Sequence, residues 1–182
     1  MSLVVGMKVE GRVLMAADRR FTSQTTLYAP APKLHRIGWW VLGITGALAD
    51  SYLFRRDLPP NVDFSDPIWY FERIKMIAAH GNAITESSGH PNGISFQVLA
   101  ARDSALFMCT QDGVLWPTDH EAIGSASLIA QAFLNKHWTP AISVDSATKL
   151  AAEIFDYAVR VQLDIGDGLD VMLTEPSAIC LS

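Results

Sequence analysis

Cysteine is scarce in this sequence: there are two, Cys109 and Cys180, far apart and in no CxxC pair. That excludes a disulfide framework and a thiolate metal site, and it fits a reducing, cytoplasmic setting. Basic residues are outnumbered, 14 Lys and Arg against 19 Asp and Glu, and the net charge of −5 leaves no electrostatic footprint for nucleic acid. Long hydrophobic runs are missing. The longest, "WWVLGITGALA" from Trp39 to Ala49, is broken by two glycines and is too short to span a membrane, so no membrane partner is expected. Nor is there a charged segment followed by an apolar stretch and a small-residue cleavage site, so no secretory leader is expected. Internal repeats and low-complexity segments are absent. The histidines, His35, His80, His90, His120 and His137, are scattered without HxxxH spacing. They are assigned no catalytic role, and no metal or cofactor is expected.

What the sequence does have is a balanced globular composition, with 49% apolar and 18% charged residues. Its length suits one domain over residues 1–182 with a sizeable core. Leu3 to Val9 and Arg12 to Asp18 read as strands around a tight Glu10-Gly11 turn. Residues 21–32 read as loop. Lys33 to Gly38 and Trp39 to Gly46 form a second strand pair. A helix is expected over Ala47 to Leu58, and another from Asp66 to about His80, with Ser65 as N-cap and Pro67 in the first turn. Ser95 to Ala101 and Ala105 to Cys109 read as strands, followed by a turn at Gln111-Asp112-Gly113. Ser125 to His137 reads as a helix with Leu128, Ile129, Ala132 and Phe133 on one face. Val144 to Val161 reads as another, with Ala147, Leu150, Ala151, Ile154, Phe155 and Ala158 at spacings of three and four. A last strand runs from Leu169 to Thr174.

Blocks of strands and helices in this order predict an α+β fold with antiparallel sheets rather than alternating βαβ units. Two sheets between two helical layers, a four-layer αββα sandwich, would cover every apolar face. Tyr52, Leu53, Trp69 and Phe71, on the first two helices beside Arg55 and Arg56, are expected to join subunits.

Five motifs follow in order along nearly the whole chain: "VVGMKVEGRVLMAADRR", "KLHRIG", "ITGALAD", "AIGSAS" and "LDIGDGLDV". The sequence resembles proteasome-type subunits of the N-terminal-nucleophile hydrolases, the group that includes proteasome β-subunits and the bacterial peptidase HslV. The resemblance implies the αββα sandwich and stacked homo-oligomeric rings that act on peptides or unfolded proteins. It also admits an ATP-dependent unfoldase as partner.

In that family the nucleophile is an N-terminal threonine four residues before a glycine or serine of the first strand. Counting back from Gly6 gives Ser2, so Met1 is expected to be removed. A serine hydroxyl needs an adjacent base. An N-terminal residue supplies its own, an α-amine with a pKa of roughly 7.7–8.0. Serine lacks the methyl group that restrains the threonine hydroxyl, and a retained Met1 would leave the site latent. The resemblance extends to Asp18 and Lys33 as an ion pair beside the nucleophile, Gly46 as oxyanion donor, and Ser125 near the amine. Asp164 matches the aspartate across the site, and Asp167 falls where many members have serine. Arg20 and Thr22 would line the substrate channel, with Ile44 near the pocket for the residue before the scissile bond.

Each residue also has a plainer reading. Lys33 suits a surface strand start, Asp18 a solvated turn, and Ser125 a helix N-cap. Asp164, Asp167 and Asp170, spaced by three, would alternatively line a cation-binding loop, although the spacing misses the EF-hand pattern. On the same fold, a catalytically silent subunit and a small-molecule amidase are the rival functions.

Overall fold

The structure is a computed structural model. It describes residues 2–22, 27–28, 31–46, 48–56, 58–59, 61–88, 96–110, 113–162, 165–166 and 168–175, with the backbone alone at 21–22, 27–28, 48–50, 78 and 80–88. Strand β1 (Leu3–Val9) turns into β2 (Arg12–Asp18) through Glu10 and Gly11, whose φ angles of 44° and 73° make a two-residue turn of hairpin twist. The stretch read as loop contains a short hairpin, β3 (Phe21–Thr22) and β4 (Leu27–Tyr28). Next come β5 (Leu34–Ile37), β6 (Trp40–Gly46), α1 (Leu48–Arg55) and α2 (Pro67–Ser88). β7 (Phe96–Arg102), β8 (Ala105–Cys109), β9 (Leu115–Pro117) and β10 (His120–Gly124) follow. The chain continues through α3 (Ser127–His137), α4 (Val144–Val161) and β11 (Leu169–Leu173).

Besides the β3-β4 hairpin, two larger antiparallel sheets result, ordered β10-β1-β2-β11 and β5-β6-β7-β8-β9. Three apolar layers weld these two. Val4, Val13, Met15, Leu34, Val41, Leu99 and Leu106 fill the space between the sheets. The opposite face of the first sheet, with Leu3, Val5, Met7 and Leu14, packs on Leu134 of α3 and Leu150, Ile154 and Phe155 of α4. The outer face of the second, with Leu42, Ile44, Phe96 and Val98, packs on Phe54 of α1 and Tyr70, Ile74 and Ile77 of α2. Each fully buried aliphatic side chain contributes about 1.5–3 kcal/mol. The architecture is the α+β, four-layer αββα sandwich.

Several local readings need correction. Asp66, not Ser65, caps α2, because its Oδ1 accepts the Ile68 and Trp69 N–H groups; Ser65 turns its hydroxyl to Asp63 instead. α2 runs on to Ser88, past His80. In α3 the core positions are Ala130 and Leu134, while Leu128 is exposed. α3 begins after Ala126, which offers no side-chain cap, so Ser125 is not its N-cap. Strands β9 and β10 lie where none was expected. On the outer helical face Tyr52 and Phe71 are exposed, but Trp69 and Leu53 pack into the aromatic cluster around Phe54 and Phe64. Ala47, Ser95, Gln111 and Asp112 lie outside the described residues.

Candidate active site

The N-terminal end of β1 is where both of its ladders stop using backbone partners. Ser125 N–H donates to Ser2 O at 2.9 Å, the last rung towards β10. The reciprocal donor, Ser2 N, reaches not the Ser125 carbonyl but its Oγ, at 3.2 Å. On the other side, Leu3 N–H donates to Asp18 Oδ1 at 2.8 Å, a side chain again standing where β2 would offer a carbonyl. A strand end finished by side chains leaves backbone geometry fixed and places polar groups around the first residue.

Asp18 is the hub. Besides Leu3 N–H, its Oδ1 accepts from Lys33 Nζ at 2.6 Å. Its Oδ2 takes Arg20 N–H at 3.1 Å and Gly166 N–H at 3.4 Å. Lys33 in turn donates to Arg20 O at 2.6 Å. Both side chains are buried, so neither the surface reading of Lys33 nor the solvated-turn reading of Asp18 applies. A buried carboxylate persists only when paired and hydrogen-bonded, and this one is held by four donors.

Gly124 closes the opposite wall. At φ +101° it occupies a region that side-chain-bearing residues avoid, and a Cβ there would lie 2.1 Å from Ser2 O. Its N–H donates to Gln97 Oε1 of β7 at 3.1 Å. Gly46 ends β6 opposite Phe96 and is exposed. Ile44 is buried in the cluster with Phe54 and Phe96. The Arg20 guanidinium lies against Gly166, and Arg19 pairs with Asp170 at 3.2 Å. That pairing engages one carboxylate of the alternative cation loop, and no three His, Cys, Asp or Glu side chains gather as a metal site among the described residues. Asp164 and Asp167 lie outside the described residues, and so does the Thr22 side chain.

Two residues beyond Lys33, β5 carries a partly buried polar side chain paired with α1. His35 Nδ1 lies 3.3 Å from Arg55 Nη1. Burial, and then the Arg55 charge, push its pKa down to about 4, so the ring is neutral and accepts from the guanidinium. The sequence reading did not single out Gly124, Gly166 or Gln97. Gly124 lies within the "AIGSAS" motif, but its role depends on contact with a residue at the other end of the chain.

Comparison with known proteins bears on the family and the fold. The family model described as proteasome subunit matches residues 2–173. Proteasome subunit beta type-2 of Saccharomyces cerevisiae is 28% identical, over 94% of this chain and 68% of that protein. Among solved structures, Anbu (ancestral beta-subunit) from Yersinia bercovieri superposes with a TM-score of 0.74 at 18% identity, covering 94% of this chain and 80% of that one. An Anbu mutant from Hyphomicrobium sp. strain MC1 gives 0.70 at 17% identity, with the same coverage of 94% and 80%. At such identities the two structures speak for the fold, while the family match spans nearly every element of the sandwich. No described helix is long and apolar enough to cross a membrane. The chain belongs to the proteasome subunit family.

Proposed function

We propose that this chain is the catalytic subunit of a self-compartmentalising peptidase, with Ser2 as nucleophile once Met1 is removed. The observation that carries the proposal is the surroundings of the Ser2 nitrogen. It lies 3.2 Å from Ser125 Oγ, on a strand whose next N–H is bound by the carboxylate that holds Lys33. With Met1 attached this nitrogen is a peptide N–H. With Met1 gone it is an α-amine whose lone pair can take the Ser2 hydroxyl proton while one of its N–H bonds rests on Ser125.

The steps follow. The amine accepts the hydroxyl proton as Ser2 Oγ attacks the scissile carbonyl, and the buried Lys33 ammonium favours the developing alkoxide. Asp18 holds Lys33 in place through their 2.6 Å contact. The Gly46 N–H receives the oxyanion, a contact typically worth ~10²–10³ in rate. The amine then returns the proton to the leaving nitrogen, and water releases the acyl group. Asp164 and Asp167 belong to this site by their place in the family motif. On the same basis Arg20 and Thr22 belong to the substrate channel, and Ile44, buried against Phe54 and Phe96, backs the pocket for the residue before the scissile bond. Specificity then comes from access to a chamber formed by stacked rings in the cytoplasm, fed by an ATP-dependent unfoldase.

A peptide epoxyketone tests the reading, because ring closure on the protein needs both a hydroxyl and a free α-amine on one residue. Intact mass should show one adduct on Met1-free protein, none on Met1-retaining protein, none on Ser2→Ala, and an adduct on Ser2→Thr. Processed, assembled protein that forms no adduct, with Ser2→Thr equally inert, would identify a silent subunit.

A further inference from the structure

Gln97 breaks the pattern of its strand. On β7, Val98 and Ala100 face the α1/α2 layer, while Leu99 and Ala101 fill the space between the sheets. Alternation places Gln97 on the inward face with Leu99 and Ala101, where the strand otherwise carries apolar groups. Its register partner is Thr45 of β6. From there it crosses to the other sheet and accepts the Gly124 N–H.

That N–H is one the β10 ladder leaves open. The rungs from Ser125 N to Ser2 O and from Lys8 N to Asp119 O both use even-numbered residues, Lys8 of β1 and Ser2 just before it. Leu3 and its partner Gly124 therefore form a pair whose N–H groups point away from each other. β10 is an edge strand, so no further strand among the described residues meets the Gly124 donor. Gln97 does. Thr45 presses its methyl carbon on the same glycine, 3.2 Å from the place a Cβ would take. Directly next in the chain is Ser125, whose Oγ receives the Ser2 nitrogen at 3.2 Å, a separation with little slack.

We propose that Gln97 is a positioning residue for Ser2. By tying Gly124 across the sandwich it sets where Ser125 Oγ stands, and so how the Ser2 amine is oriented. This rests on the reading of Ser2 as nucleophile. Loss of the acceptor lets residues 124–125 drift, and the amine loses the partner that directs its lone pair to the hydroxyl.

The test compares processed wild type, Gln97→Met and Gln97→Glu with the epoxyketone. Gln97→Met keeps the length and removes the acceptor. It should slow the saturating rate of adduct formation ten- to a hundredfold, with half-saturation unchanged within about twofold. Gln97→Glu still accepts the N–H and should restore the rate. Its added negative charge should move the midpoint of the pH profile upward. A Gln97→Met protein that melts earlier but reacts at the wild-type rate, or a Gln97→Glu protein as slow as Gln97→Met, would overturn the inference. Should wild type itself form no adduct, the nucleophile reading fails, and crystal structures then decide the Gln97 inference. Ser125 Oγ out of reach of the Ser2 nitrogen in Gln97→Met supports it, and an unchanged contact overturns it.

Discussion

Lys33 Nζ stands 2.6 Å from Asp18 Oδ1, and solvent reaches neither side chain. The pair cannot be dissected without consequence for the fold. Removing one partner of a buried ion pair leaves an uncompensated charge and costs about 3–5 kcal/mol. Lys33→Ala should therefore lower unfolding free energy by about 3 kcal/mol in urea melts as well as abolish adduct formation. The double variant Asp18→Asn, Lys33→Met should cost less than the sum of its parts, because the side-chain amide introduced at position 18 would still receive the Leu3 N–H and no lone charge remains. Lys33→Arg should also be inactive, since a planar guanidinium does not replace a compact ammonium. Wild-type stability in Lys33→Ala would refute the pairing argument.

Gly124→Ala should be among the most damaging single-methyl changes in the protein. The new carbon would lie 2.1 Å from Ser2 O, in a backbone conformation at φ +101°. Backbone strain of this kind alone costs about 1–3 kcal/mol, and the clash adds to it by displacing the Ser2–Ser125 rung. Thermal unfolding should show a loss of at least about 2 kcal/mol together with loss of Ser2 labelling. An unchanged Tm would show that the β10 end can relax freely.

Stability should depend on pH through His35. Its folded pKa of about 4 lies below the ordinary 6.5, so between these values the unfolded chain binds more protons than the folded one. Stability contributed by the neutral ring is complete above about pH 6.5 and declines as the pH falls towards 4. Urea melts across this window should show the slope, and His35→Gln, which can still accept from Arg55, should flatten it. A wild-type slope of the opposite sign would disprove the assignment.

Tyr52, Ile68 and Phe71 leave large apolar groups exposed on the first two helices, at 58%, 74% and 47% of their area. If this face joins subunits, light scattering of the wild type should report a multiple of 19.9 kDa. Ile68→Asp with Phe71→Asp should then lower that mass without changing the circular dichroism spectrum. A wild type that stays monomeric at micromolar concentration would remove the ring from the proposal.

Two apolar runs either side of the tight Glu10-Gly11 turn defined the first hairpin, and three- and four-residue spacing defined the buried face of α4. These are local signals. β10 was not legible because "HEAIG" is short, half polar and does not alternate; it is a strand because β1, far away in sequence, pairs with it. The same holds within the site. Ser2, Asp18, Lys33 and Ser125 were found through motif order, whereas Gly124, Gly166 and Gln97 act through backbone atoms or a single amide oxygen. Such roles exist only after the sheets have met. Ser65 looked like a cap because Asp66, the actual one, offers the same chemistry one position later.

The strand order has a consequence for the timing of synthesis. β1 lies between β2 and β10, and β2 between β1 and β11, so the earliest strands find their outer neighbours only when the latest ones exist. At ~5–20 residues per second, a ribosome takes on the order of ten seconds or more to emit them. Until then Ser2 lacks Ser125, Asp18 lacks Gly166, and the first hairpin has open edges. The surroundings of Ser2 are completed last by topology, and the chemistry proposed for it has to wait until β10 and β11 arrive.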